Sequence, residues 1–328
     1  MDPQTAVTLA TISYCDDVQP SLNANLPGWT AAWVPTAPIY GNTAFIAYDG
    51  HSQYAVAIRG SLLSFTWQAF YNWFYQDLDV FYQVPWTIGG DSKAMIAQGA
   101  SNGLDDLTGL VDGNGVSMIS FLKSVLVSGT SLTVTGHSLG GNLATVLAPW
   151  LYYTLKNANK SVPMSVYTFA APAAGNQAFA NDYDKLFGGS SWRYQMKNDI
   201  IPMFPVPSQV LIVSLWYSPA PLASALSVQY QGYTVTLQEA YFLISGAIGV
   251  SEYSYGSYYT QTNQTQGSVQ LTTSLCNQWQ QNTIDAYFDT VSCYHSIQNY
   301  AKAVGLANAV VCKSATGQLQ QPEGLLRS

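Results

Sequence analysis

The stretch that most constrains the fold of this chain lies at residues 131–170. A β-rich run at 131–135 (SLTVT) enters the turn Gly136-His137-Ser138-Leu139-Gly140-Gly141. A Leu- and Ala-rich stretch with helical spacing follows at 139–155, and then a second β-rich run at 164–170 (MSVYTFA). Strand, helix and strand at this separation make a βαβ unit, and parallel neighbours need such a crossover because a tight turn cannot join them. The expected class is therefore α/β, with a mostly parallel central sheet and helices on both faces. Runs at 43–48 (TAFIAY) and 54–59 (YAVAIR) are separated by Asp49-Gly50-His51-Ser52 and read as a hairpin or tight turn. A further strand is expected at 193–197 and a helical stretch at 99–127. No repeat of 20–50 residues and no linker divides the chain, so one domain is expected over 1–328. Residues 203–271 stand apart. They are rich in Tyr, Ser, Gln and apolar residues, poor in charge and without βα alternation, which reads as an inserted cap.

Composition removes several functional classes. The 328 residues carry 11 Lys+Arg against 18 Asp+Glu, a net charge of −7, with 48% hydrophobic and only 9% charged residues. Disorder requires low hydrophobicity, and nucleic-acid binding requires a basic footprint; neither is present. The longest apolar stretch, at 240–250, is short of the ~20 residues needed to span a bilayer, so no transmembrane anchor is expected. The start lacks the basic segment and unbroken apolar run of a signal peptide. The chain then reads as a mature exported form or as a cytoplasmic protein. Cys15, Cys276, Cys293 and Cys312 contain no CxxC pair, which disfavours a zinc site. Their even number and the low charge favour an oxidising compartment, the alternative being four buried thiols.

Gly-x-Ser-x-Gly at a strand-to-helix junction is a chemical signal. A sharp turn exposes the serine side chain, and flanking glycines let the backbone close around it. Ser138 is the candidate nucleophile, and the N–H of Leu139 at the helix start is placed to face a developing oxyanion. A serine nucleophile needs a base and an orienting carboxylate, which in this arrangement follow in the order Ser, Asp/Glu, His. Of three histidines only His295 follows Ser138, at the entry of a short helical pattern running to Val304. His137 is read as packing beside the nucleophile, and His51 as a surface residue in a turn. Candidate acids are Asp182, Asp184, Asp199, Asp285, Asp289, Glu239 and Glu252. Asp199 is preferred because it lies just past a strand end. Asp182 and Asp184 fall on a polar stretch with Lys185 that reads as a solvated face, and Asp289 reads as a local helix cap.

These residues resemble the class 3 lipases, the α/β-hydrolases that include the fungal triacylglycerol lipases. Besides the nucleophile turn, Ala57-Ile58-Arg59-Gly60-Ser61 is similar to the family's oxyanion strand end. Tyr167-Thr168-Phe169-Ala170-Ala171-Pro172 with Gly175-Asn176 is similar to its next strand and loop, and Asn198-Asp199 with Pro202 to its acid loop. The resemblance implies an α/β-hydrolase fold and a Ser138, Asp199 and His295 triad. It also implies an oxyanion hole from Ser61 and Leu139, no cofactor and no metal. It implies a helical lid at about 61–75, where Leu63, Trp67, Phe70 and Phe74 share one helical face opposite Ser64, Gln68 and Asn72. The same periodicity also suits a helix packed on the core. Asn72-Trp73 and Asp77-Leu78-Asp79 are similar to the segment after that lid. Gln98-Gly99-Ala100 departs from the family's His-x-Gly-Phe. The family often bridges positions like Cys15 and Cys312, leaving Cys276 with Cys293, while the sequence permits all three pairings.

The activity implied is that of a serine ester hydrolase, a triacylglycerol lipase acting on water-insoluble acylglycerols at an oil–water interface. A short-chain carboxylesterase, a phospholipase A1 and a feruloyl esterase share the same fold and triad. A lipid-binding protein descended from such hydrolases is the non-enzymatic alternative.

Overall fold

The computed structural model describes residues 1–36, 41–62, 65–217, 220–249, 253–254, 267–271, 276, 279–316 and 318–320. Leu63 and Ser64 of the expected lid and the candidate acid Glu252 lie outside them. The first strands are β1 (Thr30–Trp33), β2 (Ala44–Tyr48), β3 (Gln53–Ile58), β4 (Gln83–Pro85) and β5 (Met95–Ala97). Next come β6 (Ser131–His137), β7 (Met164–Phe169), β8 (Ser191–Met196), β9 (Ser227–Tyr230) and β10 (Tyr233–Thr236). The last three are β11 (Gly267–Leu271), β12 (Cys312–Lys313) and β13 (Leu319–Gln320). Seven of them form one sheet in the order β1-β2-β3-β6-β7-β8-β11, parallel from β3 to β11 with an antiparallel β1-β2-β3 edge.

The expected hairpin is present. Tyr48 pairs Tyr54, and the Asp49 carboxylate closes the turn by accepting the N–H groups of His51, Ser52 and Gln53 at 2.8–2.9 Å. His51 is exposed in that turn.

The helices are α1 (Pro3–Ile12), α2 (Val18–Asn25), α3 (Trp67–Asn72), α4 (Gln98–Gly109), α5 (Met118–Val125) and α6 (Leu139–Asn157). They continue with α7 (Gln177–Phe187), α8 (Pro207–Val213), α9 (Leu237–Ile248), α10 (Ile284–His295) and α11 (Ile297–Ala303). None is long and apolar enough to cross a membrane among the described residues. The stretch expected to be helical at 99–127 is two helices. Between them Asp112 accepts the N–H groups of Asn114 and Val116, and Gly115 takes a positive φ of 75°, a turn that no helix can pass through.

Two further expectations change. Residues 203–271 hold α8, the β9-β10 hairpin and α9, but their last five residues are β11, an edge of the central sheet rather than part of a cap. Asp182 is buried rather than solvated: its carboxylate binds Lys185 at 2.8 Å and accepts the Asp91 N–H at 2.8 Å, because the loop at Asp91 folds over α7.

In the expected lid, Thr66 caps α3 through the Ala69 N–H, and Trp67, Phe70 and Phe74 are buried as one face. The helix then widens into a π turn at Trp73–Asp77, where the Leu78 N–H reaches the Trp73 carbonyl at 3.0 Å. That extra residue lets Trp73 turn inward beside Phe74, which a regular 3.6-residue period does not anticipate. Phe70 meets Phe204, Tyr241 and Phe288 with ring centroids 5.2–6.3 Å apart, so the face is closed against the core.

Candidate active site

Ser138 occupies the single residue between β6 and α6, with φ 58° and ψ −127°. A non-glycine residue at positive φ is uncommon and persists only where its surroundings over-determine it. Here the flanking glycines do so. A Cβ at Gly136 would meet the Gly140 carbonyl, one at Gly140 the Ile58 carbonyl, and one at Gly141 the Ala171 side chain. The turn therefore closes tightly against β3 and the loop after β7, with the Ser138 N–H held by the Phe169 carbonyl at 2.9 Å.

His295 is the last residue of α10, where Ser296 breaks the helix before α11. The helical pattern expected from His295 to Val304 is α11, and His295 itself ends a preceding helix whose Tyr-, Phe- and Thr-bearing sequence has weak helix propensity. The His295 Nδ1 lies 2.9 Å from Asp199 Oδ2 and its Nε2 2.8 Å from Ser138 Oγ. A carboxylate can only accept, so Nδ1 carries the proton, Nε2 presents a lone pair, and the Ser138 hydroxyl donates to it. All three side chains are buried.

Asp199 follows β8 in a loop held from two sides. Its Oδ1 accepts the Ile201 N–H at 3.0 Å, and its Oδ2 also accepts the Tyr300 hydroxyl at 2.7 Å. Arg193, buried on β8, donates to the carbonyls of Ala171 at 3.1 Å and Pro202 at 2.8 Å and to the Gln195 side chain. It thereby ties the Asp199 loop to the loop after β7. The remaining candidate acids are elsewhere. Glu239 caps α9, Asp184 lies on α7, Asp285 opens α10, and Asp289 is exposed in the middle of α10 rather than capping it.

His137 is buried, and burial together with the nearby His295 ring holds its pKa well below the ordinary histidine value. Its Nε2 lies 2.8 Å from the His295 carbonyl and its Nδ1 3.0 Å from the Tyr14 hydroxyl. Since a carbonyl only accepts, Nε2 carries the proton and Tyr14 donates to Nδ1. The Tyr14 oxygen in turn receives the Gly60 N–H, next to Ser61. One neutral imidazole therefore connects the backbone of His295 with the end of β3.

Ser61 lies past that strand end, its hydroxyl 3.4 Å from Asp77 Oδ2. Burial raises the Asp77 pKa, and the Ser61 bond acts against this. Leu139 opens α6 beside Ser138. Phe65 sets its ring edge against His295 at 5.4 Å.

The residues brought together are Ser138, Asp199 and His295, with Ser61 on the adjoining strand end, while Trp67 and Phe70 of α3 and Phe74 of the π turn are buried against the core. Tyr14, Tyr300, Arg193 and Phe65 were not anticipated. The close pairs Tyr14–His137 and Tyr300–Asp199 are 123 and 101 residues apart, and no local motif marks them. The motif residues Gly175 and Asn176 are structural: Asn176 caps α7 and binds the backbone of Lys93 and Met95.

Residues 101–209 match the family Lipase (class 3). Phospholipase A1-II 1 of Oryza sativa subsp. indica is 37% identical over 76 residues, 23% of this chain and 19% of that protein. The secreted mono- and diacylglycerol lipase 1 of Fusarium solani is 38% identical over 72 residues, 22% of this chain and 20% of that protein. The chain thus aligns with about a fifth of these relatives' length. Among solved structures, M37 lipase has a TM-score of 0.71 at 19% identity, over 93% of both chains. Lipase II from Rhizopus niveus has a TM-score of 0.51 at 19% identity, over 62% of this chain and 74% of that one. These likenesses establish the α/β-hydrolase fold, and residues 101–209, about a third of the chain, are similar to the class 3 lipases.

Proposed function

We propose that the protein is a serine-type carboxylic ester hydrolase whose substrates are water-insoluble acylglycerols, with triacylglycerols first among them. The observation that carries the reading is the unbroken run of short contacts from Asp199 through His295 to Ser138 Oγ, at 2.9 and 2.8 Å. In this reading His295 Nε2 takes the Ser138 proton as Oγ attacks the ester carbonyl carbon. Asp199 holds the tautomer and stabilises the imidazolium that forms. The backbone N–H groups of Ser61 and Leu139 receive the negative charge on the carbonyl oxygen. His295 returns its proton to the leaving alcohol, and water then cleaves the acyl-enzyme by the same steps.

The apolar lid helix and the sparse charge support a poorly soluble substrate. The rice relatives are phospholipases A1 by name, which makes phospholipid sn-1 esters the second reading. Ser138→Ala is expected to lower kcat on a dissolved nitrophenyl ester by about 10⁴ to 10⁶ and to abolish labelling by a fluorophosphonate. Full activity in the purified variant would refute the assignment. Rates on emulsified trioctanoin against phosphatidylcholine separate the two substrate readings.

A further inference from the structure

With the lid helix face turned inward, the exposed apolar surface lies on other elements. Helices α8 and α9 pack together, the Ser245 hydroxyl donating to the Pro207 carbonyl at 3.0 Å. Their inner residues, Val210, Val213, Tyr241 and Ile244, are buried. Apart from Ser208 and Glu239, their exposed residues are apolar too. Leu211, Ile212 and Leu215 of α8 and the turn after it are 40%, 47% and 66% exposed, and Phe242 and Leu243 of α9 are 66% and 44% exposed. A helix that is apolar all round ordinarily has every face covered.

The charge pattern narrows what covers this one. Between Asp199 and Glu252 the only charged residue is Glu239. Its carboxylate is engaged in the α9 cap, accepting from the Thr236 N–H at 2.7 Å and the Thr236 hydroxyl at 2.8 Å. An anionic bilayer is recruited by Lys and Arg, of which this segment has none, and the chain's net charge is −7. A stable protein partner needs about 800 Å² and roughly 20 residues on each side. The outward positions of a 7-residue and a 12-residue helix do not supply that. An uncharged lipid surface needs only apolar side chains to bury, flanked by amphipathic aromatics. Tyr233, 73% exposed on the strand leading into α9, and half-buried Trp216 after α8 provide these.

We propose that the outer faces of α8 and α9 dock the protein on the surface of uncharged acylglycerol droplets, separately from the lid helix. This rests on the ester-hydrolase reading given above. The same two helices and the turn after α8 also touch the surroundings of the site. Tyr241 of α9 packs against Phe70 of the lid helix, with centroids 6.3 Å apart. Tyr217, just past α8, donates to the carbonyl of Asn198 beside Asp199 at 2.9 Å. Docking through α8 and α9 therefore brings lipid to elements packed against the lid helix and the Asp199 loop.

The test compares the full-length protein with Leu215→Ser/Phe242→Ser. Both positions are largely exposed, so the variant keeps its fold, which circular dichroism checks. Flotation with gum-stabilised triolein droplets is expected to recover wild-type protein in the lipid layer and at least tenfold less of the variant, since each buried side chain contributes about a tenfold gain in partitioning. Neither protein is expected to float with phosphatidylglycerol vesicles. Turnover of dissolved nitrophenyl acetate, the separate test of the hydrolase reading, is expected to be equal in the two. Equal flotation of both proteins would overturn the docking proposal, as would failure of the wild type to float. Sedimentation showing a wild-type dimer that becomes a monomer in the variant would overturn it as well, by assigning the face to a second copy of the chain.

Discussion

At the scale of single residues, the least replaceable group outside the Ser138, Asp199 and His295 constellation is His137. It donates to the His295 carbonyl from Nε2 and accepts the Tyr14 hydroxyl at Nδ1, and the second of these bonds requires the neutral ring. Burial lowers its pKa in the folded protein, whereas the unfolded chain regains the ordinary value of about 6.5. Below that pH the unfolded state binds the extra proton, so stability is lost as pH falls, by up to about 1.4 kcal/mol per pH unit from this group. Urea unfolding between pH 8 and pH 5 is expected to show His137→Asn less stable than wild type at pH 8 but losing less on acidification. Parallel losses in the two proteins would mean that the histidine does not titrate on unfolding. In sequence His137 looked like a packed neighbour of the nucleophile. Its bonding was not readable, because Tyr14 and His295 reach it from opposite ends of the chain.

At the scale of elements, what was legible followed from local chemistry. The βαβ unit around Ser138 appears in the pattern because strand, glycine turn and helix are contiguous, and the hairpin at 44–58 because an Asp-Gly turn separates two β-rich runs. The π turn after α3 was not legible, because it depends on packing that draws Trp73 and Phe74 inward together. The β9-β10 hairpin was missed although Gln231 and Gly232 both take positive φ and join paired Tyr230 and Tyr233; that two-residue turn was hidden in a segment read only by composition. The loops that position Asp199 depend on Arg193, whose place on β8 gave no hint of its carbonyl partners. Arg193→Met keeps the strand but leaves the Ala171 and Pro202 carbonyls without that donor, at about 1–3 kcal/mol for each buried group. The variant is expected to unfold at a lower urea concentration and to lose activity with it, since the Pro202 loop carries Asp199. A stability loss below about 0.5 kcal/mol would mean that other contacts hold the two loops.

At the scale of the whole molecule, two disulfides act on very different lengths of chain. Cys15–Cys312 joins positions 297 residues apart and ties the end of α1 to β12, whereas Cys276–Cys293 closes a loop of 17 residues. If the chief effect of a crosslink is to restrict the unfolded chain, the long bridge contributes about 6 kcal/mol and the short one about 3 kcal/mol. Cys293 is two residues before His295 on α10, and Asn299 of α11 donates to its carbonyl at 2.8 Å. The short bridge therefore anchors the turn that carries the imidazole, while the long one, at Cys15 beside Tyr14, reaches His295 only indirectly through Tyr14 and His137. Replacing both members of a bridge by serine separates the two contributions. Cys15→Ser/Cys312→Ser is expected to lower Tm by roughly 6 °C or more, given the unfolding entropy of a chain this long, and to leave kcat on a dissolved ester nearly unchanged. Cys276→Ser/Cys293→Ser is expected to cost less in Tm and more in kcat. The reverse ranking in either measurement would show that loop length does not govern the stability difference, or that the α10 end is held by its packing rather than by the bridge.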